Sequence, residues 1–126
     1  MIDHTGIVVT DYQKSRRFYI SALAPLGITL VLEFPASVTG GADVAGFGEA
    51  PKAEFWISPG LANVPRIHIA FRAASRAMVD AFHFAAIVAG GRDNGAPGLR
   101  PHYHPNYYGA FVLDPDGHNI EAVCHN

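Results

Sequence analysis

Seven histidines occur in a chain of 126 residues of which only 16% are charged. Imidazole is both an acid-base group near neutral pH and a common metal ligand, so this excess points toward metal or proton-transfer chemistry. Two of the seven are related by an internal repeat. The segment HTGIVVTDYQKSRRFYISALAPLG, from His4 to Gly27, recurs at a shift of 64 as HIAFRAASRAMVDAFHFAAIVAGG, from His68 to Gly91. His4 falls on His68, Phe18 on Phe82, Leu23 on Ile87 and Gly27 on Gly91. Near the end of the chain stands a carboxylate, Glu121, in a segment of strand character. Two neutral imidazole nitrogens and one anionic oxygen are a donor set for a divalent cation, with positions left open for water or substrate.

A second concentration of chemistry runs from Arg100 to Tyr108, with two histidines, three tyrosines and an arginine. One reading is a wall or lid over a site, with His102, His104 or Tyr103 as acid-base groups and Tyr107, Tyr108 and Arg100 against substrate. The other is an aromatic, proline-rich loop that covers a core edge or a dimer contact. The remaining histidines, His83, His118 and His125, are expected to be solvated, on a helix surface, beside a turn and at the chain end.

The elements that position these residues follow from periodicity. Each repeat opens on a strand, Ile2–Val9 and Ile67–Arg72, and passes a polar cap, Thr10/Asp11 or Ser75, into a helix with apolar residues at three and four. The first helix turns Ser15, Phe18, Tyr19, Ala22 and Leu23 inward, the second Met78, Val79, Phe82, Ala85, Ala86 and Ala89. Three strands are expected after each helix: Ile28–Glu33, Val38–Phe47 and Ala53–Ser58, then Arg92–Gly95, Tyr108–Leu113 and Asn119–Cys124. The last two are joined by Asp114-Pro115-Asp116-Gly117, a type I turn sequence. The predicted architecture is α+β: two tandem βαβββ modules, residues 1–58 and 66–126, joined by a linker at 59–65, in one domain with an eight-stranded cup-shaped mixed sheet and helices outside.

Alternation along the strands then sorts the side chains. Ile67, Ile69 and Phe71 pack under the helix, which leaves His68 on the opposite, open face with Arg66, Ala70 and Arg72. In the last strand Ile120, Ala122 and Cys124 are helix-side, so Asn119, Glu121 and Val123 share that open face. His4, Gly6 and Val8 take one face of the first strand. Composition excludes other classes. Nine basic against eleven acidic residues, with Lys14 and Lys52 the only lysines, offer no stripe for nucleic-acid phosphates. The apolar runs are short, no membrane span or leader is expected, and a lone Cys124 forms no internal disulfide, which fits a cytoplasmic protein.

On His4 with its strand, Phe18-Tyr19, His68-Ile69-Ala70-Phe71, and Leu113-Asp114-Pro115-Asp116-Gly117-His118-Asn119-Ile120-Glu121, the chain resembles the vicinal oxygen chelate superfamily. That group includes glyoxalase I lyases, extradiol dioxygenases, fosfomycin thiol transferases and bleomycin-resistance binding proteins. The resemblance implies that His4, His68 and Glu121 are metal ligands for Fe, Mn, Ni or Zn. It also implies a small oxygenated substrate that chelates the metal through adjacent oxygens, and a homodimer.

The branches differ at particular residues. Glyoxalase I enzymes often take a fourth ligand from the strand that here reads Glu54-Phe55-Trp56-Ile57-Ser58. Motif spacing puts Trp56 at that position, with Glu54 two residues away, about 6.6 Å along a strand. Extradiol dioxygenases and fosfomycin thiol transferases favour a tyrosine where this chain has Phe111. Trp56 and Phe111 are therefore expected on the cup wall beside the metal, with Glu54 as the rival fourth ligand. The expected activity is metal-dependent, either a lactoylglutathione-lyase-type isomerisation or a ring-cleaving dioxygenation. The alternatives are a fosfomycin-type transferase or a non-catalytic sequestering protein of bleomycin-resistance type.

Overall fold

The computed structural model describes residues 1–126. Both modules follow the order strand, helix, three strands, and the first carries two extra short helical turns. The first runs β1 (Thr5–Val9), α1 (Tyr12–Leu23), a 3₁₀ turn (Ala24–Leu26), β2 (Thr29–Phe34), a single helical turn α2 (Ala36–Thr39), β3 (Val44–Gly48) and β4 (Phe55–Pro59). The second runs β5 (His68–Arg72), α3 (Arg76–Val88), β6 (Arg92–Leu99), β7 (Tyr108–Leu113) and β8 (Asn119–Cys124). The fold is α+β with tandem βαβββ modules. Its eight strands form two four-stranded sheets, ordered β1-β4-β3-β2 and β5-β8-β7-β6, with no strand hydrogen-bonded across between them. In each sheet the module's first and last strands pair in parallel, β1 with β4 and β5 with β8, and the other pairs are antiparallel.

Helix starts follow the cap chemistry of the sequence. The Asp11 carboxylate accepts from Lys14 N–H at 3.1 Å and the Ser75 hydroxyl from Met78 N–H at 3.2 Å, each satisfying a donor with no partner inside the helix. The helix exits differ from each other. Gly27 closes the first in the left-handed region, φ 76°, with open space around its α-carbon. In the second module Gly90 takes that role at φ 104°, and Gly91, the repeat partner of Gly27, is a packing glycine. A Cβ there would come within 2.5 Å of Val112 Cγ1 and 2.9 Å of Phe18 Cε1.

One strand expectation is corrected. The segment expected as strand from Val38 instead begins with α2 and reaches β3 only at Val44. Pro35 supplies no N–H, Gly40 turns the chain at φ 77°, and Asp43 reaches back to accept from Ala36 N–H at 2.8 Å. Together these favour a tight local turn over an extended chain. β6 is longer than expected, continuing past a register irregularity at Gly95.

The apolar faces of both sheets and helices share one core of 21 buried residues drawn from both modules. Phe55 of β4 meets Phe71 of β5 edge-on at 5.3 Å, and the buried Tyr19 hydroxyl donates to Asp114 Oδ2 at 2.6 Å. His118, expected to be solvated, is fully buried. The Asp114–Gly117 turn folds against β1, so the ring lies between the modules: Ile67 N–H donates to Nδ1 at 3.0 Å, and Nε2 donates to the Val8 carbonyl at 3.1 Å. Asp116 on the same turn receives Thr10 N–H at 3.1 Å, and Asn63 of the linker receives Val8 N–H at 2.9 Å. The free edge of β1 is thereby partly satisfied by side chains instead of another strand. His83 is also not freely solvated, since it is half-buried against Asp93 at 2.9 Å. No helix is long and apolar enough to cross a membrane.

Candidate metal centre

The second module brings a histidine and a carboxylate together. β5 and β8 run in parallel with His68 beside Asn119 and Ala70 beside Glu121. This register places Nε2 of His68 3.1 Å from Oε1 of Glu121. The other ring nitrogen, Nδ1, lies 3.0 Å from the Asn119 carbonyl. A carbonyl only accepts, so Nδ1 carries a hydrogen, and the tautomer is assigned by that contact. In a neutral ring the Nε2 lone pair then faces an anionic oxygen, and two electron-pair donors repel unless a cation lies between them. Either a proton or a metal ion satisfies that contact. A backbone carbonyl holding the far nitrogen of a ligating histidine is a recurrent arrangement in metal sites.

Glu121 is 2% exposed, although it lies on the open face of the sheet, whereas the His68 side chain is 49% exposed. A buried carboxylate is costly without partners. Its second oxygen, Oε2, accepts from the Tyr107 hydroxyl. Burial, followed by this bond to the carboxylate, pushes the Tyr107 phenol above its ordinary range, so it remains a donor. Gly109 leaves the room for this contact: a Cβ there would lie 3.2 Å from both Glu121 Oε2 and Tyr107 Cε1. Phe111, directly across from Glu121 in the β7–β8 register, lies 6.2 Å from the His68 ring at 26° between planes. Its ring passes over Gly95, where a Cβ would come within 2.9 Å.

The first module presents a different half. His4 precedes β1, with 61% of its side chain exposed, and its Nδ1 is 2.7 Å from Asp3 Oδ1. That bond and Lys52 Nζ at 3.0 Å hold the Asp3 carboxyl below its usual range. His4, Thr5, Gly6, Val44, Trp56, Ile57 and Ser58 line an open groove. Trp56 stacks on Phe34 at 6.0 Å and 10° over Gly46, where a Cβ would meet the indole at 2.8 Å. Glu54 has an exposed side chain, and its carbonyl accepts from Thr5 N–H at 2.9 Å. Within one chain no three His, Cys, Asp or Glu side chains converge as a cation site. His68 and Glu121 meet each other, and His4 stands apart from them.

The aromatic loop sorts its own candidates. Tyr107 reaches Glu121, but Tyr108 turns to α3 and donates to Asp80 Oδ1 at 2.6 Å. His104 accepts from Asn106 N–H at 3.0 Å through Nδ1 and meets His125 Nδ1 at 2.5 Å through Nε2. His102 and Tyr103 are exposed and packed on each other, ring centroids 4.2 Å apart. Arg100 donates to the carbonyls of Gly98 and Ala96 at 2.9 and 2.8 Å, with its guanidinium 5.5 Å from the Phe111 centroid. Two contributors were not singled out from the sequence. A glycine inside a strand signals close approach, which would have pointed to Gly109. The Asn119 carbonyl carries no side-chain signal at all.

Comparison with known proteins shows the family. A family model for the Glyoxalase/Bleomycin resistance protein/Dioxygenase superfamily matches residues 1–122. A glyoxalase/bleomycin resistance protein from Albidiferax ferrireducens is 28% identical, with 98% of each chain covered and a TM-score of 0.77. Glyoxalase I from Zea mays is 18% identical, covering 97% of this chain and 43% of that one, with a TM-score of 0.72. A mutant of the fosfomycin resistance protein FosX from Listeria monocytogenes was solved with Mn(II) and 1S,2S-dihydroxypropylphosphonic acid. It is 18% identical, covers 98% of this chain and 88% of that one, and has a TM-score of 0.69. At that identity the last two share the fold. No curated protein matches the chain. From the match over nearly its whole length, the chain belongs to the glyoxalase/bleomycin resistance protein/dioxygenase superfamily.

Proposed function

We propose that this protein is a metal-dependent enzyme acting on a small oxygenated substrate, with His68 and Glu121 as two ligands of a divalent cation and His4 as the third. The observation that carries this reading is the His68 Nε2 to Glu121 Oε1 contact of 3.1 Å, with the opposite ring nitrogen fixed by the Asn119 carbonyl. The donor set, one imidazole nitrogen beside one carboxylate oxygen, suits Fe, Mn, Ni or Zn. One chain supplies only this pair at one place, so His4 comes from a second copy in a homodimer. A bound cation supplies Lewis acidity toward adjacent substrate oxygens.

Around that position the residues of the chain have separable tasks. Phe111 and Trp56 give apolar walls, Tyr107 fixes the carboxylate, and Arg100 brings a positive charge against the Phe111 ring. Glu54 is exposed immediately before β4, beside His4 immediately before β1, and three protein ligands without it leave positions for a chelating substrate. The non-catalytic reading draws support from the Trp56–Phe34 stack, which forms an aromatic binding wall without any ligand residue. Elemental analysis of protein purified without added metal, followed by titration with Mn, Ni, Zn and Fe(II), separates the two. The enzyme reading expects one ion per site, lost in His68→Ala and kept in Glu54→Gln. A wild-type protein that takes up none of the four, yet binds an aromatic ligand that quenches Trp56, is the sequestering protein.

A further inference from the structure

The aromatic loop before β7 spends much of its structure on holding one hydroxyl. The Tyr107 ring is packed by Tyr103 at 4.8 Å, His104 at 5.5 Å and His125 at 5.4 Å. Two of those rings are themselves tied together, His104 to His125 at 2.5 Å. The backbone is pinned on both sides, with Arg100 N–H donating to the Tyr107 carbonyl at 2.7 Å and Tyr107 N–H to the His104 carbonyl at 3.1 Å. The result of all these contacts is a phenol aimed at Glu121 Oε2 from a single direction.

We infer that Tyr107 is a positioning residue that sets how Glu121 can bind a cation: its phenol occupies Oε2, so the carboxylate offers Oε1 alone, beside His68 Nε2. The inference rests on the metal-centre reading above. A carboxylate with both oxygens free can bind through one or through both, taking one coordination position or two. With Oε2 committed to an O–H donor, Glu121 takes one and leaves the other for substrate. Gly109 is part of the same device, because a side chain there would press on the carboxylate oxygen and the phenol ring together. His104 packs on the Tyr107 ring directly and His102 packs on it through Tyr103.

The test is Tyr107→Phe, which keeps the packed ring and removes only the oxygen. Tyr108→Phe, which loses a comparable phenol bond to Asp80 on α3, is the matched control. Both are titrated with Co(II), with affinity read by calorimetry, coordination by the visible absorption band and fold by circular dichroism. Tyr107→Phe is expected to bind Co(II) about 10–100-fold more weakly, as for loss of a bond that orients a ligand. Its visible band should also weaken as the freed oxygen raises the coordination number, with the control unchanged on both measures. A Tyr107→Phe protein with wild-type affinity and band overturns the inference. Weaker binding with an unchanged band overturns it too, because Tyr107 then only packs. If wild-type protein takes up no Co(II), the metal-centre reading itself fails and the inference falls with it, an outcome distinct from the other two.

Discussion

At the scale of single residues, His118 and Gly109 carry more than their types suggest. Each nitrogen of the His118 ring is committed to a backbone group of a different module, Ile67 N–H and the Val8 carbonyl. Truncation to alanine leaves both groups buried without partners and opens a cavity. His118→Ala should therefore lower the unfolding free energy by about 2–4 kcal/mol, measured by urea denaturation followed by circular dichroism. A loss under about 0.5 kcal/mol would mean that water replaces the ring at no cost. For Gly109 the expectation is a dissociation of binding from stability. A methyl group 3.2 Å from Glu121 Oε2 displaces the carboxylate more than it strains the fold. Gly109→Ala should weaken Mn(II) binding by about tenfold or more, with a melting temperature shifted by only a few degrees. Equal Mn(II) affinity in the two proteins would contradict this.

At the scale of elements, α1 is fastened to β2 by a charged clasp. Glu33 accepts from Arg16 at 2.7 and 3.0 Å and from the Tyr12 hydroxyl at 2.7 Å. The Arg16 bond, with help from Tyr12, holds the Glu33 carboxyl below its ordinary value of 4.5. A carboxyl whose folded value is depressed adds stability above its unfolded value and loses it as pH falls through the folded one. Since the pair is about one-third exposed, solvent screening limits its worth. Glu33→Gln should cost about 1 kcal/mol at pH 7, and the gap to wild type should close as pH falls below about 4. A gap constant from pH 7 to 3 would show that the charge is not what matters. The two helix exits make a parallel test. Gly27→Ala strains a left-handed position, costing about 1 kcal/mol. Gly91→Ala overpacks Val112 and Phe18, costing about 1–3 kcal/mol, both measured as denaturation midpoints.

At the scale of the molecule, the proposed ligand residues are split between two places in one chain, which makes assembly part of the proposed function. If each site takes His4 from one copy and His68 with Glu121 from the other, then His4→Ala and Glu121→Ala homodimers are both empty. A mixed dimer then has one site with both substitutions and one site intact. After unfolding and refolding an equal mixture, about a quarter of all sites should regain metal, because about half the dimers are mixed. Elemental analysis of the refolded, dialysed protein reads this out. No recovery would mean that each site draws all its ligands from one chain. Light scattering at micromolar protein should give the mass of two chains, and a monomer mass would exclude a shared site altogether.

The sequence by itself determined the local structure and the candidate chemistry. Periodicity and alternation are consequences of helix and strand geometry, so Phe18, Tyr19, Val79 and Phe82 could be assigned inward and Ile120, Ala122 and Cys124 to the helix side, as all are buried. The caps at Asp11 and Ser75 and the limits of β7 and β8 were legible for the same reason. The face shared by His68 and Glu121 followed from alternation along their strands, and those two side chains do meet. Only the tertiary structure decided the relations between distant segments. It buried His118 between modules, selected Tyr107 over its loop neighbours as the partner of Glu121, and kept His4 away from the pair within one chain. None of these has a period or a motif. They depend on how two modules with similar sequences pack around one core, and that packing is fixed by the sum of many apolar contacts, which no single residue announces.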